Sequence, residues 1–129
     1  MSITYYGAWR PGRMFNVKVR EIKRDDVVIL ELSGRLTEGT DTQSLSNKLN
    51  EMIDEGLTKL VFDLSKVHWI DSSGLGLLIR GYTRMQKNGG ELKLARVTRS
   101  VNSLLQMTKL TTVFGVYDSV DEAVESYAG

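Results

Sequence analysis

The alternation of two hydrophobic periods is the feature of this sequence that most constrains its fold. In some short runs apolar residues recur at every second position, and between these runs they recur every three or four positions. The first pattern is typical of half-buried strands and the second of amphipathic helices. Because strands that alternate with helices along a chain usually form a parallel sheet, the sequence predicts an α/β fold.

The predicted elements follow the order β-β-α-β-α-β-α-β-α. The first strand carries alternating Phe15, Val17 and Val19, and it forms a hairpin with the strand Val27–Leu32, which ends at Ser33-Gly34. We therefore expect a small five-stranded sheet, mixed but mostly parallel, with about four helices. The other predicted elements are a helix capped by Thr40 that stops at Gly56, strands Leu60–Leu64, Leu92–Ala95 and Val113–Tyr117, and helices at Asp71–Lys87, after Thr98 and after Ser119.

Residues 1–14 stand apart from this pattern. They hold the only Pro and one of the two Trp residues, and their apolar residues follow no clear period. We treat residues 1–14 as an N-terminal extension and residues 15–129 as one domain. Two interpretations of the extension stay open: a flexible segment, or an aromatic segment that packs on the domain or on a second copy of it.

The composition excludes several classes of function. The chain has no cysteine and one histidine, which excludes thiol catalysis, zinc–thiolate centres and paired-histidine metal sites. With 17 Lys and Arg against 16 Asp and Glu, the net charge is +1, so we expect no direct nucleic-acid partner and no membrane partner. We find no signal peptide, and the predicted compartment is the cytoplasm. The small, near-neutral chain is predicted to be a monomer or a weak dimer.

Residues 68–76, HWIDSSGLG, are the strongest candidate for a functional site. Two hydroxyls, one carboxylate and two glycines crowd the first turn of a predicted helix. The first N–H groups of a helix lack partners within it, and together with the helix dipole they favour a negative group. Two interpretations remain open. Either Asp71 or Ser72 simply caps the helix, or a serine is phosphorylated and its phosphate lies on these N–H groups.

Other chemistries have weaker support. The glycine patterns of phosphate-binding loops and dinucleotide-binding folds are absent. Asp63 and Asp71 could in principle form a metal pair, but Asp63 interrupts an apolar strand, and we predict no metal site. We expect His68 to be a loop or core residue rather than a general base, and a single histidine supports no hydroxyl–His–acid triad. The sequence therefore predicts neither an enzyme nor a resident cofactor.

The segment Val67–Leu78, VHWIDSSGLGLL, resembles the signature of the STAS domain as found in bacterial anti-sigma factor antagonists. The resemblance covers roughly residues 15–128, and with it comes the expectation of a STAS-like fold. The pieces that support it are LSGRL at Leu32–Leu36, LVFDL at Leu60–Leu64, NGGEL at Asn88–Leu92, VNSLL at Val101–Leu105 and DEA at Asp121–Ala123.

The resemblance implies a regulatory switch. An unmodified antagonist binds an anti-sigma factor that is also a serine kinase of the histidine-kinase-like ATPase type, and this binding frees the sigma factor. The kinase phosphorylates the serine directly after the signature aspartate, which is Ser72 here, and a metal-dependent serine phosphatase reverses the modification. ATP and magnesium belong to the kinase, so the resemblance implies no cofactor for this chain.

The resemblance also implies a partner-binding rim around Ser72, formed by residues 35–40, 71–76 and part of the helix at 101–105. Antagonists often carry an acidic residue after a Gly-x-Leu stretch; here Thr37 takes that position and Glu38 follows. A STAS module in another signalling or transport assembly, or one that senses an anion or a nucleotide, stays open as an alternative. The predicted contact residues are Thr37, Glu38, Asp71, Ser73, Gly74, Leu75 and Gly76.

Overall fold

The computed structural model describes residues 3–6, by their backbone, and residues 17–128. Its strands and helices alternate after an initial run of three strands, as the sequence predicts from residue 15 onward. A short 3₁₀ turn at Leu110–Thr112 precedes the last strand. The elements are β1 (Ile3–Tyr6), β2 (Val17–Arg24), β3 (Val27–Leu36), α1 (Thr40–Asp54), β4 (Lys59–Ile70), α2 (Ser72–Lys87), β5 (Glu91–Ala95), α3 (Arg99–Met107), β6 (Gly115–Tyr117) and α4 (Val120–Glu125).

The strands form one six-stranded sheet in the order β1-β2-β3-β4-β5-β6. β1, β2 and β3 pair antiparallel, whereas β3, β4, β5 and β6 pair parallel. The predicted α/β class with a mixed sheet and four helices is confirmed, and β2 to β6 are the five predicted strands. β1 adds a sixth strand from the N-terminal extension, whose residues 1, 2 and 7–14 lie outside the described part of the chain, as does Phe15.

The two faces of the sheet are covered unequally. The face that carries Leu30, Phe62 and Leu94, called the front face here, packs against α1, α2 and α3 and forms the main core. The opposite, rear face carries Ile29 and Val61, which form a smaller core with α4. This division follows from strand geometry, because successive side chains of a strand point to opposite faces of the sheet.

Two parallel strands are longer than predicted. β3 continues past Ser33-Gly34 to Leu36, and β4 continues past Leu64 to Ile70, because the two strands remain paired as far as Leu36 and Ile70. Two register shifts interrupt this pairing, and they disturb the alternation that sequence periodicity depends on. As a result, β4 ends only one residue before α2, and the segment Asp71–Gly76 lies at the carboxyl edge of the sheet.

The helix ends match the predictions in part. The predicted cap at Thr40 is wrong, because Gly39 (φ 153°) is the N-cap and Thr40 is already helical. α1 stops as predicted before Gly56, which has a φ of 105°. Ser119 caps α4 as predicted, since its hydroxyl accepts a hydrogen bond from the N–H of Glu122 at 3.0 Å. Within the described residues, no helix has the length and apolar character needed to cross a bilayer.

Candidate functional site

Asp71 caps α2 and takes two of the backbone amides that the sequence predicted to be open. Its Oδ1 accepts hydrogen bonds from the N–H groups of Ser73 at 2.9 Å and Gly74 at 3.1 Å. Its backbone is extended, with φ −116° and ψ −169°, as is usual for an N-cap residue. The capping role of Asp71 is confirmed. In the unmodified chain this carboxylate occupies two of the N–H groups on which a phosphate was expected to lie, so the position of a phosphate on a serine here remains a prediction.

Gly74 brings the first turn of α2 against the end of β3. A Cβ built on Gly74 would lie 2.0 Å from the carbonyl oxygen of Leu36 and 2.8 Å from Cγ1 of Ile70. The same Leu36 carbonyl accepts the N–H of Asp71 at 3.3 Å. Only a residue without a Cβ permits this approach, so Gly74 fixes the start of α2 relative to the loop after β3. Its contact with a partner remains a prediction.

Ser72 and Ser73 lie in different surroundings. Ser72 is the first residue of α2; its side chain is exposed, and its hydroxyl forms no hydrogen bond with a described residue. Ser73 is half-buried and its side chain faces a cleft beside α2. An enzyme can therefore reach the Ser72 hydroxyl without displacing any part of the fold, whereas Ser73 is accessible only through the cleft.

This cleft has a volume of about 640 Å³ and lies between α1, α2 and the loop that joins β3 to α1. The Arg80 side chain reaches back along α2, so that its Nη1 lies 2.9 Å from the position that a Cβ on Gly76 would take. Arg80 forms no ion pair with a described residue, which leaves its positive charge available to a ligand or partner. The lining residues are Glu38, Gly39, Thr42, Gln43, Ser46, Ser73 and Arg80.

Sequence reasoning missed Arg80, although its spacing could have revealed it. Arg80 is seven positions after Ser73, and helix positions seven apart lie about 20° from one another around the axis. Once Asp71–Lys87 is predicted as a helix, Ser73, Gly76 and Arg80 therefore share one side of it. Thr42, Gln43 and Ser46 in α1 were missed as well, because the sequence does not show which side of α1 faces α2.

The loop after β3 contributes Thr37 and Glu38 in different ways. Thr37 is half-buried, and its carbonyl oxygen accepts a hydrogen bond from the hydroxyl of Thr42 in α1. Glu38 is exposed and lines the cleft opposite Ser73. The structure therefore brings two of the predicted contact segments together across the cleft, with Glu38 supplying a side chain and Thr37 supplying a backbone anchor.

Other predicted contact residues lie away from the cleft lining. Leu75 is half-buried and packs against the main core, and Gly76 lies partly exposed beneath Arg80. In α3, Val101 and Leu105 are buried in the core, and none of the described residues that line the cleft belongs to α3. The Thr98 hydroxyl, at the N-cap of α3, donates a hydrogen bond to the carbonyl oxygen of Val67 at 2.9 Å, which attaches α3 to β4.

Asp63 and His68 do not line the cleft. Asp63 is buried in β4, where it lies 3.6 Å from Arg96 and accepts the N–H of Ser65 at 3.0 Å. The Asp71 carboxylate caps α2, whereas the Asp63 carboxylate contacts Arg96 and Ser65, so the two carboxylates have separate structural roles. No cluster of three or more potential metal ligands occurs among the described residues. His68 is exposed within β4, so the predicted loop or core position is wrong.

Comparison of the sequence and fold with known proteins identifies the family of this chain. The model of the STAS domain matches residues 18–123. The chain is 31% identical over 103 residues to a Thermotoga maritima protein provisionally named an anti-sigma factor antagonist, covering 78% of this chain and 89% of that protein. It is 28% identical over 109 residues to the anti-sigma F factor antagonist of Paenibacillus polymyxa, covering 81% of this chain and 89% of the relative. The fold is also similar to a crystal structure of a Thermotoga maritima protein that is provisionally called an anti-sigma factor antagonist. The TM-score is 0.78 at 27% sequence identity, and the match covers 82% of this chain and 91% of the Thermotoga maritima chain.

Proposed function

The chain belongs to the STAS domain family, and from this membership we propose that it is an anti-sigma factor antagonist that is switched by phosphorylation of Ser72. In its unmodified form it binds an anti-sigma factor that is also a serine kinase of the histidine-kinase-like ATPase class, and the sigma factor is released. The kinase phosphorylates Ser72, and a serine phosphatase restores the binding form. The chain contributes binding and no catalytic step, and it acts in the cytoplasm with these partners.

The observation that carries this proposal is the exposed Ser72 hydroxyl directly beside a filled helix cap. Because the Asp71 carboxylate takes the N–H groups of Ser73 and Gly74, a phosphate on Ser72 would extend toward solvent and toward a bound partner. It would add about −1.5 to −2 charge next to the Asp71 carboxylate. Phosphorylation therefore changes the charge of the surface while the cap that holds α2 stays intact.

The size of this charge change is sufficient for a switch. Like charges brought together at an interface cost several kcal/mol, and each ~1.4 kcal/mol changes affinity tenfold. A penalty of about 3 kcal/mol would weaken partner binding about 100-fold. The penalty would act at the predicted partner-binding rim. This rim includes Glu38, which lines the same cleft as Ser73. Its other predicted contacts lie in the loop after β3 and in the first turns of α2: Thr37, Gly74, Leu75 and Gly76.

A kinase assay tests the acceptor. The full chain, Ser72→Ala and the matched control Ser73→Ala are each incubated with radiolabelled ATP and a purified serine kinase of the histidine-kinase-like class from the same cells. We expect Ser72→Ala to lose incorporation and Ser73→Ala to retain it. Undiminished labelling of Ser72→Ala would contradict the assignment of Ser72, and so would loss of labelling in Ser73→Ala alone.

Calorimetry with the same kinase tests the switch itself. Unmodified protein and Ser72→Ala should bind the kinase with equal affinity, and phosphorylated protein should bind about 100-fold more weakly. If the phosphorylated and unmodified proteins bind equally well, phosphorylation does not control this partner. Mass spectrometry of the protein recovered from its native cells would then show whether Ser72 is modified at all.

The cleft favours a second candidate function, an anion- or nucleotide-sensing STAS module. Arg80 and Ser73, which bear a guanidinium and a hydroxyl that form no hydrogen bond with a described side chain, line one cavity of about 640 Å³. These groups are donors suited to an anionic ligand. Calorimetry of the full chain with ATP and GTP, in parallel with the kinase titration, distinguishes the two functions. Nucleotide binding that Arg80→Ala abolishes, without any kinase binding, would favour the sensor.

A further inference from the structure

Within the described residues, part of the rear face of the sheet has no helix over it. α4 has six residues and packs on β4, β5 and β6. It buries Val27, Ile29 and Val61 near the amino ends of β3 and β4. The rear positions of β2, and those nearer the carboxyl ends of β3 and β4, remain outside this cover. Because a sheet face is normally packed against another layer, an uncovered polar face is a candidate for contact with another molecule.

Strand register groups cations on this uncovered face. Lys18, Ser33 and Lys66 occupy directly paired positions on the adjacent strands β2, β3 and β4. In the next row, Arg35 of β3 is paired with Trp69 of β4. Their neighbours Val17, Val19, Leu36, Val67 and Ile70 are buried in the front core, which places these residues on the rear. The rear patch is defined as Lys18, Arg20, Ser33, Arg35, Lys66 and Trp69.

The positive charge of the rear patch exceeds the negative charge near it. Arg20 and Lys66 share one carboxylate, Glu31, at 3.8 Å and 2.9 Å. Lys18 and Arg35 are exposed and form no ion pair with a described residue. Asp63 and Arg96, at the edge of the patch, pair with each other at 3.6 Å. With Asp63, the register partner of Glu31, and its partner Arg96 included, this part of the rear face carries five cations against two carboxylates, in a chain whose net charge is only +1.

Trp69 gives the patch an apolar anchor. It has 53% of its surface exposed, although it lies in a paired strand position beside Arg35. Trp and Arg are the residue types most enriched among those that dominate binding energy at protein interfaces. An exposed Trp beside an Arg that no described carboxylate pairs with is therefore the arrangement expected at the centre of a protein contact, and lysines lie near it here.

We propose that the rear patch is a second interaction surface, which binds an acidic polypeptide segment of a protein partner. Charge complementarity selects this occupant, because Lys18 and Arg35, which form no ion pair with a described residue, would each gain a carboxylate partner. Sheet surfaces that bind RNA stack two or three bases on aromatic side chains. The rear patch contains a single aromatic side chain, Trp69, so its composition favours a polypeptide over RNA. The patch and the α1–α2 cleft lie on opposite faces of the sheet, so the inference stands apart from the proposed role of Ser72.

Fluorescence anisotropy with a fluorescein-labelled peptide of ten glutamates tests this inference on the full chain. We expect the wild type to bind it at about 50 mM NaCl, with affinity at least tenfold lower at about 300 mM. The double variant Lys18→Glu/Arg35→Glu should bind at least tenfold more weakly, and Trp69→Ala about fivefold. The matched control Lys87→Glu/Lys109→Glu makes the same change in net charge away from the patch and should bind within about twofold of wild type.

Several outcomes would overturn the proposal. One is that the wild type binds the ten-glutamate peptide no more tightly than a ten-serine peptide. Another is that the control variant and the patch variants lose equal affinity for the glutamate peptide. Tighter binding of phosphatidylglycerol vesicles or of a ten-uridine RNA, dependent on Lys18 and Arg35, would assign the surface to a membrane or to RNA instead. Ser72→Ala should leave the peptide affinity unchanged, so that a failure here is distinct from a failure of the proposed switch.

Intrinsic fluorescence provides a measurement that does not depend on charge reversal. In Trp9→Phe, Trp69 is the only remaining Trp. Its emission should shift to shorter wavelength as the glutamate peptide covers the ring. Saturating peptide binding with no change in Trp69 emission would show that the contact lies elsewhere. Thermal melts of every variant confirm that the differences arise in folded protein.

Discussion

Replacing Gly74 with alanine tests whether the start of α2 is fixed by its approach to β3. The added Cβ would lie 2.0 Å from the carbonyl oxygen of Leu36, about 1.5 Å short of the optimum for non-bonded heavy atoms. A backbone carbonyl cannot rotate aside as a side chain can. The first turn of α2 must therefore move away from β3, which stretches the hydrogen bond between the Asp71 N–H and the Leu36 carbonyl.

The expected loss of stability follows from two opposing contributions. Overpacking a well-packed site costs about 1–3 kcal/mol, and we expect about 3 kcal/mol because backbone lies on both sides of the contact. Alanine recovers about 0.8 kcal/mol through its higher helix propensity. The net loss is about 2 kcal/mol, which should lower the Tm by about 8 °C in a domain of this size.

Urea denaturation followed by far-UV circular dichroism measures this loss, and Gly76→Ala is the matched control. A Cβ on Gly76 would meet only the flexible end of Arg80, at 2.9 Å from Nη1. Gly76→Ala should therefore be neutral or more stable by up to about 1 kcal/mol. If Gly74→Ala is as stable as Gly76→Ala, the close approach to Leu36 does not hold α2, and the explanation of the site geometry fails.

Three further changes test other contacts. Asp71→Ala should lower stability by about 1 kcal/mol in the same denaturation assay, because the N–H groups of Ser73 and Gly74 lose their acceptor; Asp71→Asn, which keeps an acceptor oxygen, should cost less than half as much. Burial raises the pKa of Tyr127 well above its ordinary value, so its neutral hydroxyl contributes stability that is complete below about pH 10 and declines at higher pH. Tyr127→Phe loses the hydrogen bond to the Leu60 carbonyl at 2.7 Å; it should be about 1 kcal/mol less stable at pH 7 and show a shallower decline above pH 10. Ser72→Glu should weaken kinase binding in calorimetry yet melt within about 2 °C of wild type, and a large fall in Tm would indicate a structural role for Ser72.

The elements that the sequence predicts correctly are those with a local signal. The cap of α4 depends on four consecutive residues, and Ser119 and Glu122 form it as expected. The end of α1 at Gly56 is equally local, because a positive φ favours glycine. The additional strand β1 has no such signal, since a four-residue strand is recognised through its partner β2 rather than through a period of its own.

The candidate site was predictable in position but not in detail. The segment from Asp71 to Gly76 is found at the carboxyl edge of the sheet, where sites in α/β folds commonly lie. Whether the Asp71 carboxylate turns back onto its own helix depends on side-chain geometry, and this choice decides whether the helix terminus is open to an anion. Arg80 enters the cleft from two turns further along α2, a contribution that follows from helix periodicity once the cleft is known.

The rear patch depends on two register shifts that a period-two pattern cannot anticipate. If pairing continued without a shift from Glu31 and Asp63, strict alternation would turn Lys66 toward the front core and Val67 toward the rear. The first shift pairs Ser33 with Lys66, and the second pairs Arg35 with Trp69, leaving His68 unpaired between them. Val67 and Ile70 are both buried in the front core as a result. The same two shifts that satisfy the core therefore place Lys66 and Trp69 side by side with the cations of β2 and β3.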